Sequence, residues 1–290
     1  MTGYGQTYAL LVALTALCLG CGYYLGGRAG LELAMAFALA TNLVSWFFSG
    51  RLILWFYNAQ EVTERTAPEL LGMVRALAAR AELPTPKVYV IPSAQPNAFA
   101  TGRNPANGVV AVTSGLIQRL DRQQLAGVIG HELAHIRNYD MLIMSVTATI
   151  VGVLSFLSRH HPVGAAQRDE RDGGWIPVVL LLVAAPVAAL IIQLAISRSR
   201  EYQADSAGAT ICGNPLWLAR ALATIHQDAG RLRLAGAEAN PATAHLFIIN
   251  PLGYGWIGSL FSTHPPVEER IRRLEQLAGG RGPAVARALI

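Results

Sequence analysis

Residues 1–27, 33–50, 141–158 and 173–197 contain no Asp, Glu, Lys or Arg. Each run approaches or passes the length of about 18 residues that a tilted helix needs to cross the hydrocarbon of a bilayer. Residues 7–25 and 33–57 read as two spans joined by a turn at Gly26-Gly27-Arg28-Ala29-Gly30, with Trp46, Trp55 and Tyr57 suited to the interface. The two later runs predict a second membrane or membrane-associated hairpin, kinked at Pro186.

Between and after these runs the pattern is that of a folded domain. Residues 68–81 have helical spacing through Leu71, Val74, Leu77 and Ala78, and Pro84 and Pro86 stop that helix. Residues 87–91 and 109–113 are short β-branched runs, and Asn97-Ala98-Phe99-Ala100-Thr101-Gly102 between them can pair as a third strand of a small sheet. Residues 121–137 carry an apolar face of Leu125, Val128, Ile129, Leu133 and Ile136, with Asp121 placed as N-cap. Further helices are predicted from Arg198 past Asp205, over 215–230 and over 266–277.

Composition sharpens the membrane reading. Of 290 residues, 52% are apolar and 14% charged, whereas a soluble domain carries roughly a quarter charged. That excludes a disordered chain. The net charge of +5 is almost wholly arginine, since Lys87 is the single lysine. No basic run is interleaved with aromatics, so the balance fits a positive-inside bias and no nucleic-acid partner is expected. Cys18 and Cys21 share one apolar helix, which argues against a disulfide framework.

Candidate chemistry centres on His131-Glu132-Leu133-Ala134-His135. Residues four apart share a helix face, so both imidazoles can meet one metal ion, while Glu132, one step around, is placed to take a proton from an attacking water. Two histidines leave a zinc site incomplete, and Glu201 is the candidate third ligand. Glu201 and Asp205 are again four apart, and Asp205 can orient a ligating histidine. A bland reading of Glu201 is an ion pair with Arg198 or Arg200. His264, framed by Thr263 and Pro265-Pro266, is either an oxyanion or lid-like contact over the metal or an ordinary histidine at a helix start. His160, His161, His226 and His245 carry no such pattern.

Two crossings between His135 and Glu201 return the chain to one side, which lets the site assemble. Arg51, Arg65, Arg137, Arg198 and Arg200 lie on that side, against Arg28, Arg159, Arg168 and Arg171 opposite, which favours a cytoplasmic site.

These segments, in this order and together with Ser199-Arg200-Glu201-Tyr202-Gln203-Ala204-Asp205 and Ser262-Thr263-His264-Pro265-Pro266, resemble the HtpX-like membrane zinc metallopeptidases. That family is related to the CAAX prenyl endopeptidases. The resemblance implies a mainly α, membrane-anchored zincin-like α+β fold with four transmembrane helices. It implies one zinc ion held by His131, His135 and Glu201, with Glu132 catalytic. The implied activity is endoproteolysis of misfolded or damaged membrane proteins as quality control at the bacterial inner membrane. The expected organisation is an N-terminal transmembrane hairpin (1–57), a first catalytic half with the sheet and the zinc-motif helix (58–140), a second hairpin (141–197) and a second catalytic half (198–290). Substrate is expected to be held extended by backbone pairing near Phe99 or along 109–113. Competing readings are an intramembrane protease, a prenyl-protein endopeptidase and a noncatalytic zinc-containing membrane adaptor. Glu132 argues against the last, because a structural zinc site needs no base.

Overall fold

A computed structural model of the chain describes residues 3–141, 144, 198–229, 246–249 and 265–280, with the side chains of the first helix described only in part. That helix, α1, runs Gly3–Phe56 and is broken at Gly27, whose φ of 57° and ψ of −137° leave the helical region. The turn expected at 26–30 is therefore a break at one glycine, the residue for which positive φ carries no Cβ penalty. Tyr24, Leu33 and Trp55 on α1 are 87%, 74% and 76% exposed, so among the described residues these large apolar side chains are not covered. Among the described residues no helix is long and apolar enough to cross a membrane. Of the two later runs only Met141 and Met144 are described, so the second hairpin and the kink at Pro186 lie outside the described residues.

The sheet has four strands, β1 Gln60–Glu61, β2 Lys87–Ile91, β3 Ala98–Thr101 and β4 Val109–Thr113, in the order β1-β2-β4-β3. β2 and β4 are parallel, with Lys87 opposite Val109, and the two outer pairings are antiparallel. β1 escapes sequence reading because its two residues are polar. It is held by Glu61, which accepts from the Tyr89 hydroxyl at 3.0 Å and pairs with Lys87 at 2.9 Å. Placing β4 inside the sheet corrects one expectation: residues 109–113 have β2 on one side and β3 on the other, so they offer no free edge to a substrate.

The helices are α2 Pro68–Arg80, α3 Ser114–Arg119, α4 Arg122–Arg137, α5 Arg198–Cys212, α6 Pro215–Ala229 and α7 Val267–Ala278. α3 is too short for a periodic signal, and Thr113 starts it by accepting from Leu116 N–H. α4 begins in a capping box, in which Asp121 accepts from Gln124 N–H at 2.8 Å and the Gln124 side chain accepts from Asp121 N–H at 3.0 Å. Every residue of α4 from Leu125 through Ile136 is buried, so it is a central helix and not the one-faced helix its periodicity predicts. Neighbours enclose it: α2, α5, α6, β3 and β4 all touch it.

Two glycines permit that enclosure. A Cβ on Gly127 would lie 2.6 Å from the Leu218 backbone N on α6, and one on Gly130 would lie 2.7 Å from the Gly208 carbonyl O on α5. Gly72 in α2 is the contrasting case, with nothing within 4 Å of an added Cβ. Gly72→Ala should raise stability by about 0.4–1 kcal/mol through the unfolded chain and the helix propensity alone. Chemical denaturation of the two proteins side by side checks this, and a destabilised variant would show that α2 is not the relaxed helix seen here.

Candidate metal centre

His131 and His135 project from adjacent turns of α4, and Glu201 reaches them from the first turn of α5. All three are buried, and one ligating atom from each falls within 4.8 Å of the others. The two Nε2 atoms are 3.2 Å apart, and the Glu201 carboxylate oxygens lie 3.8 Å from His131 Nε2 and 3.6 Å from His135 Nε2. Tetrahedral zinc with bonds near 2.05 Å sets ligand atoms about 3.3 Å apart. The donor set and its spacing thus fit zinc with three protein ligands. Of the two arginines considered as ion-pair partners for Glu201, Arg200 faces Asp140 at 3.7 Å, while the Glu201 carboxylate faces the two histidines.

Each histidine has a carboxylate behind it. His131 Nδ1 stands 3.0 Å from Asp205 Oδ1, and His135 Nδ1 is 3.2 Å from Asp140 Oδ2. Such contacts turn Nε2 toward the metal and fix the tautomer. Asp140 escaped sequence analysis as a site residue because it reads as a charge flanking the zinc-motif helix. Arg270 on α7 also escaped. It is fully buried and donates from Nε and Nη2 to both Asp205 oxygens at 2.9 and 2.7 Å.

The buried charges set the protonation states of the metal-free site. Burial, with His135 and Arg270 nearby, pulls His131 down to about 4, so its ring is neutral at pH 7. Burial would also lower His135, but its hydrogen bond to Asp140 and the nearby Glu201 carboxylate outweigh that and push it up to about 9. Burial raises Glu132 to about 7, against the opposing pull of His135. Asp205 would be raised by burial, yet Arg270 holds it below the usual carboxylate range.

One consequence can be measured directly. Zinc must displace the proton that His135 holds below about 9, so zinc affinity should rise about tenfold per pH unit between pH 7 and 9 for that single displaced proton. Chelator competition across this range checks it, and a flat profile would contradict the charge assignment of His135.

Glu132 is buried beside these ligands and accepts a hydrogen bond from the Ala100 backbone N–H of β3. The outer edge of β3 is partly taken, because Ile248 N–H donates to the Ala98 carbonyl at 3.0 Å. The Asn97 side-chain amide donates to the Ile249 carbonyl at 2.9 Å, and Phe247 packs edge-on against Phe99 and Tyr57. Ala98–Thr101 are all buried, so with Ala98 engaged by Ile248 and the Ala100 N–H by Glu132 the described part of this edge is covered and does not stand open near Phe99. His264, His160, His161 and His245 lie outside the described residues. His226 lies away from the cluster, 3.4 Å from Glu268.

A family model described as Peptidase family M48 matches residues 64–278. Among solved structures, the chain is similar to a crystal structure of S. mikatae Ste24p, with a TM-score of 0.51 and 19% sequence identity. That alignment covers 93% of this chain and 65% of the other, so the chain spans about 65% of the length of this relative. At this identity the likeness concerns the fold.

Proposed function

From the premise that the chain belongs to peptidase family M48 and is a zinc metalloendopeptidase with His131, His135 and Glu201 as ligands, we propose that it cleaves unfolded segments of membrane proteins beside a bilayer. The observation that carries the membrane half of this reading is the uncovered apolar surface of α1. Ten large apolar side chains of α1, among them Tyr24, Leu33 and Trp55, are exposed among the described residues, and lipid is the partner their chemistry fits. In this reading residues 1–57 and 141–197 are the membrane hairpins, and residues 58–140 and 198–290 are the two halves of the catalytic domain. The protein is then a multi-pass protein of the bacterial inner membrane with its site toward the cytoplasm, and quality control is its role.

Zinc, when bound, supplies a Lewis acid that polarises the scissile carbonyl and acidifies water. Glu132 takes the proton of the attacking water and returns it to the departing amine. Asp205 and Asp140 hold the two imidazoles in place throughout. With residues 246–249 displaced from β3, the freed Ala98 carbonyl would take part in aligning the peptide through its backbone, which makes cleavage tolerant of sequence. Preference then comes from access, because anchoring enzyme and substrate in one bilayer raises their effective concentration.

Reconstitution tests this. Protein in liposomes is given the same unfolded reporter either free or tethered to the bilayer by a single span. Tethering should raise the initial cleavage rate by at least about tenfold. Equal rates would remove the membrane-substrate reading while leaving the endopeptidase intact, and zinc-loaded protein that cleaved neither form would favour the adaptor.

A further inference from the structure

Arg270 belongs to none of the motifs that mark the site, yet it is the side chain that joins its parts. It comes from α7, where Leu274 one turn later shares its buried face. Its guanidinium clamps Asp205 with two parallel hydrogen bonds of 2.9 and 2.7 Å, from Nε and Nη2. Nη2 also lies 3.4 Å from His131 Nε2, Nη1 lies 3.7 Å from Glu201 Oε2, and Nη1 donates to the Ile248 carbonyl at 2.8 Å. One fully buried cation thus touches the carboxylate behind a zinc ligand, approaches two ligands, and ties down the segment lying on the β3 edge.

We propose that Arg270 is a positioning residue of the zinc centre, which sets the imidazole of His131 through the Asp205 carboxylate. A bidentate arginine fixes both oxygens of a carboxylate in one plane, which a lysine cannot do. With Asp205 so fixed, Oδ1 is held 3.0 Å from His131 Nδ1, and Nε2 on the far side of the ring is aimed at the metal. The charges agree with this role. Of the four buried carboxylates around the site, Asp140 faces Arg200 at 3.7 Å, and for Glu132, Glu201 and Asp205 Arg270 together with a divalent zinc ion would supply three matching positive charges. A buried charge left without its partner costs several kcal/mol, so the site is closest to neutral with both cations in place. Through Ile248, the same guanidinium holds the β3 edge in register with the metal. The inference rests on the zinc site and is independent of which substrate is cleaved.

The test reads the metal directly, in full-length detergent-purified protein. Arg270→Gln, Arg270→Lys, Asp205→Asn and the double variant Asp205→Asn/Arg270→Gln are compared by chelator competition for zinc and by the visible spectrum of the cobalt-substituted protein. Arg270→Gln should weaken zinc binding about 10- to 100-fold and shift the cobalt bands, and Arg270→Lys should recover part of the affinity. With zinc saturating, kcat should fall more than KM rises. Because Arg270 acts through Asp205, the double variant should bind zinc no more weakly than Asp205→Asn alone. Native affinity with an unchanged cobalt spectrum in Arg270→Gln would reduce Arg270 to a core ion pair and overturn the proposal. Should that variant not fold, the double variant, which removes both buried charges together, carries the comparison. Equality with Asp205→Asn supports the proposal, and a further loss refutes it.

Discussion

Glu132→Gln should lower kcat/KM on an unfolded protein by about 10³-fold, roughly 4 kcal/mol of transition-state stabilisation, with zinc content unchanged. The substitution keeps shape and removes only the proton acceptor, and Glu132 is outside the ligand set, so metal binding survives. The same variant carries a stability signature that a purely catalytic account would miss. Burial raises the Glu132 carboxyl from 4.5 to about 7 in the metal-free protein. A group whose folded value is raised contributes stability that is full below its unfolded value and is lost as pH rises through the folded value. Metal-free native protein should therefore lose this contribution between about pH 4.5 and 7, and the glutamine variant should not. Thermal unfolding in chelator at pH 5 and pH 8 separates them: the variant gains on the native protein at the higher pH. Full activity in Glu132→Gln would transfer the role of base to another group. Lost zinc would show instead that the substitution had disturbed the ligands.

The second large effect is expected at a residue that has no side chain of its own. Gly208→Ala would put a Cβ 2.7 Å from the His131 backbone N and 2.8 Å from its Cα. Those are main-chain atoms of a ligand-bearing residue inside a fully enclosed helix, so no flexible tip can move aside. Overpacking of this kind costs about 1–3 kcal/mol. Relief can come only by parting α4 from α5, the helices that carry the histidines and Glu201. Zinc affinity should then fall at least about tenfold, with activity falling in step. Zinc titration of the variant decides it, with Gly72→Ala as the control glycine substitution. Native zinc affinity in Gly208→Ala would mean that the two helices can separate without disturbing the ligands.

What could be read in the sequence was local. The two histidines are set by one turn of helix, Glu201 and Asp205 by another, and the α4 cap by Asp121, whose partner Gln124 the structure adds. β2 and β4 were legible from β-branched residues. Arg270 was not, because Arg270, Arg272 and Arg273 all look like the polar face of one amphipathic helix. What singles out Arg270 is Asp205, 65 residues earlier. Asp140 has no local mark for a related reason, since its contact with His135 is set by the turn after α4 and not by helical spacing. The cover on the β3 edge has no local mark either. Ile248 and Ile249 are ordinary apolar residues until tertiary folding lays them beside Ala98 and Asn97. Burial of α4 on every side was hidden by Gly127 and Gly130, which look like helix-weakening residues in a sequence and act as contact points in the fold.

The scattering of the site along the chain also orders events during synthesis. A ribosome releases His131 and His135 with α4, then Glu201 and Asp205 with α5, and Arg270 only with α7. Domains acquire structure as their segments emerge, so a growing chain holds two histidines with no third ligand, and later three ligands with no guanidinium to set them. Proteolytic competence is thereby postponed until α7 has been made. A nascent chain stalled short of that point carries the zinc ligands without the arginine that joins them to α7.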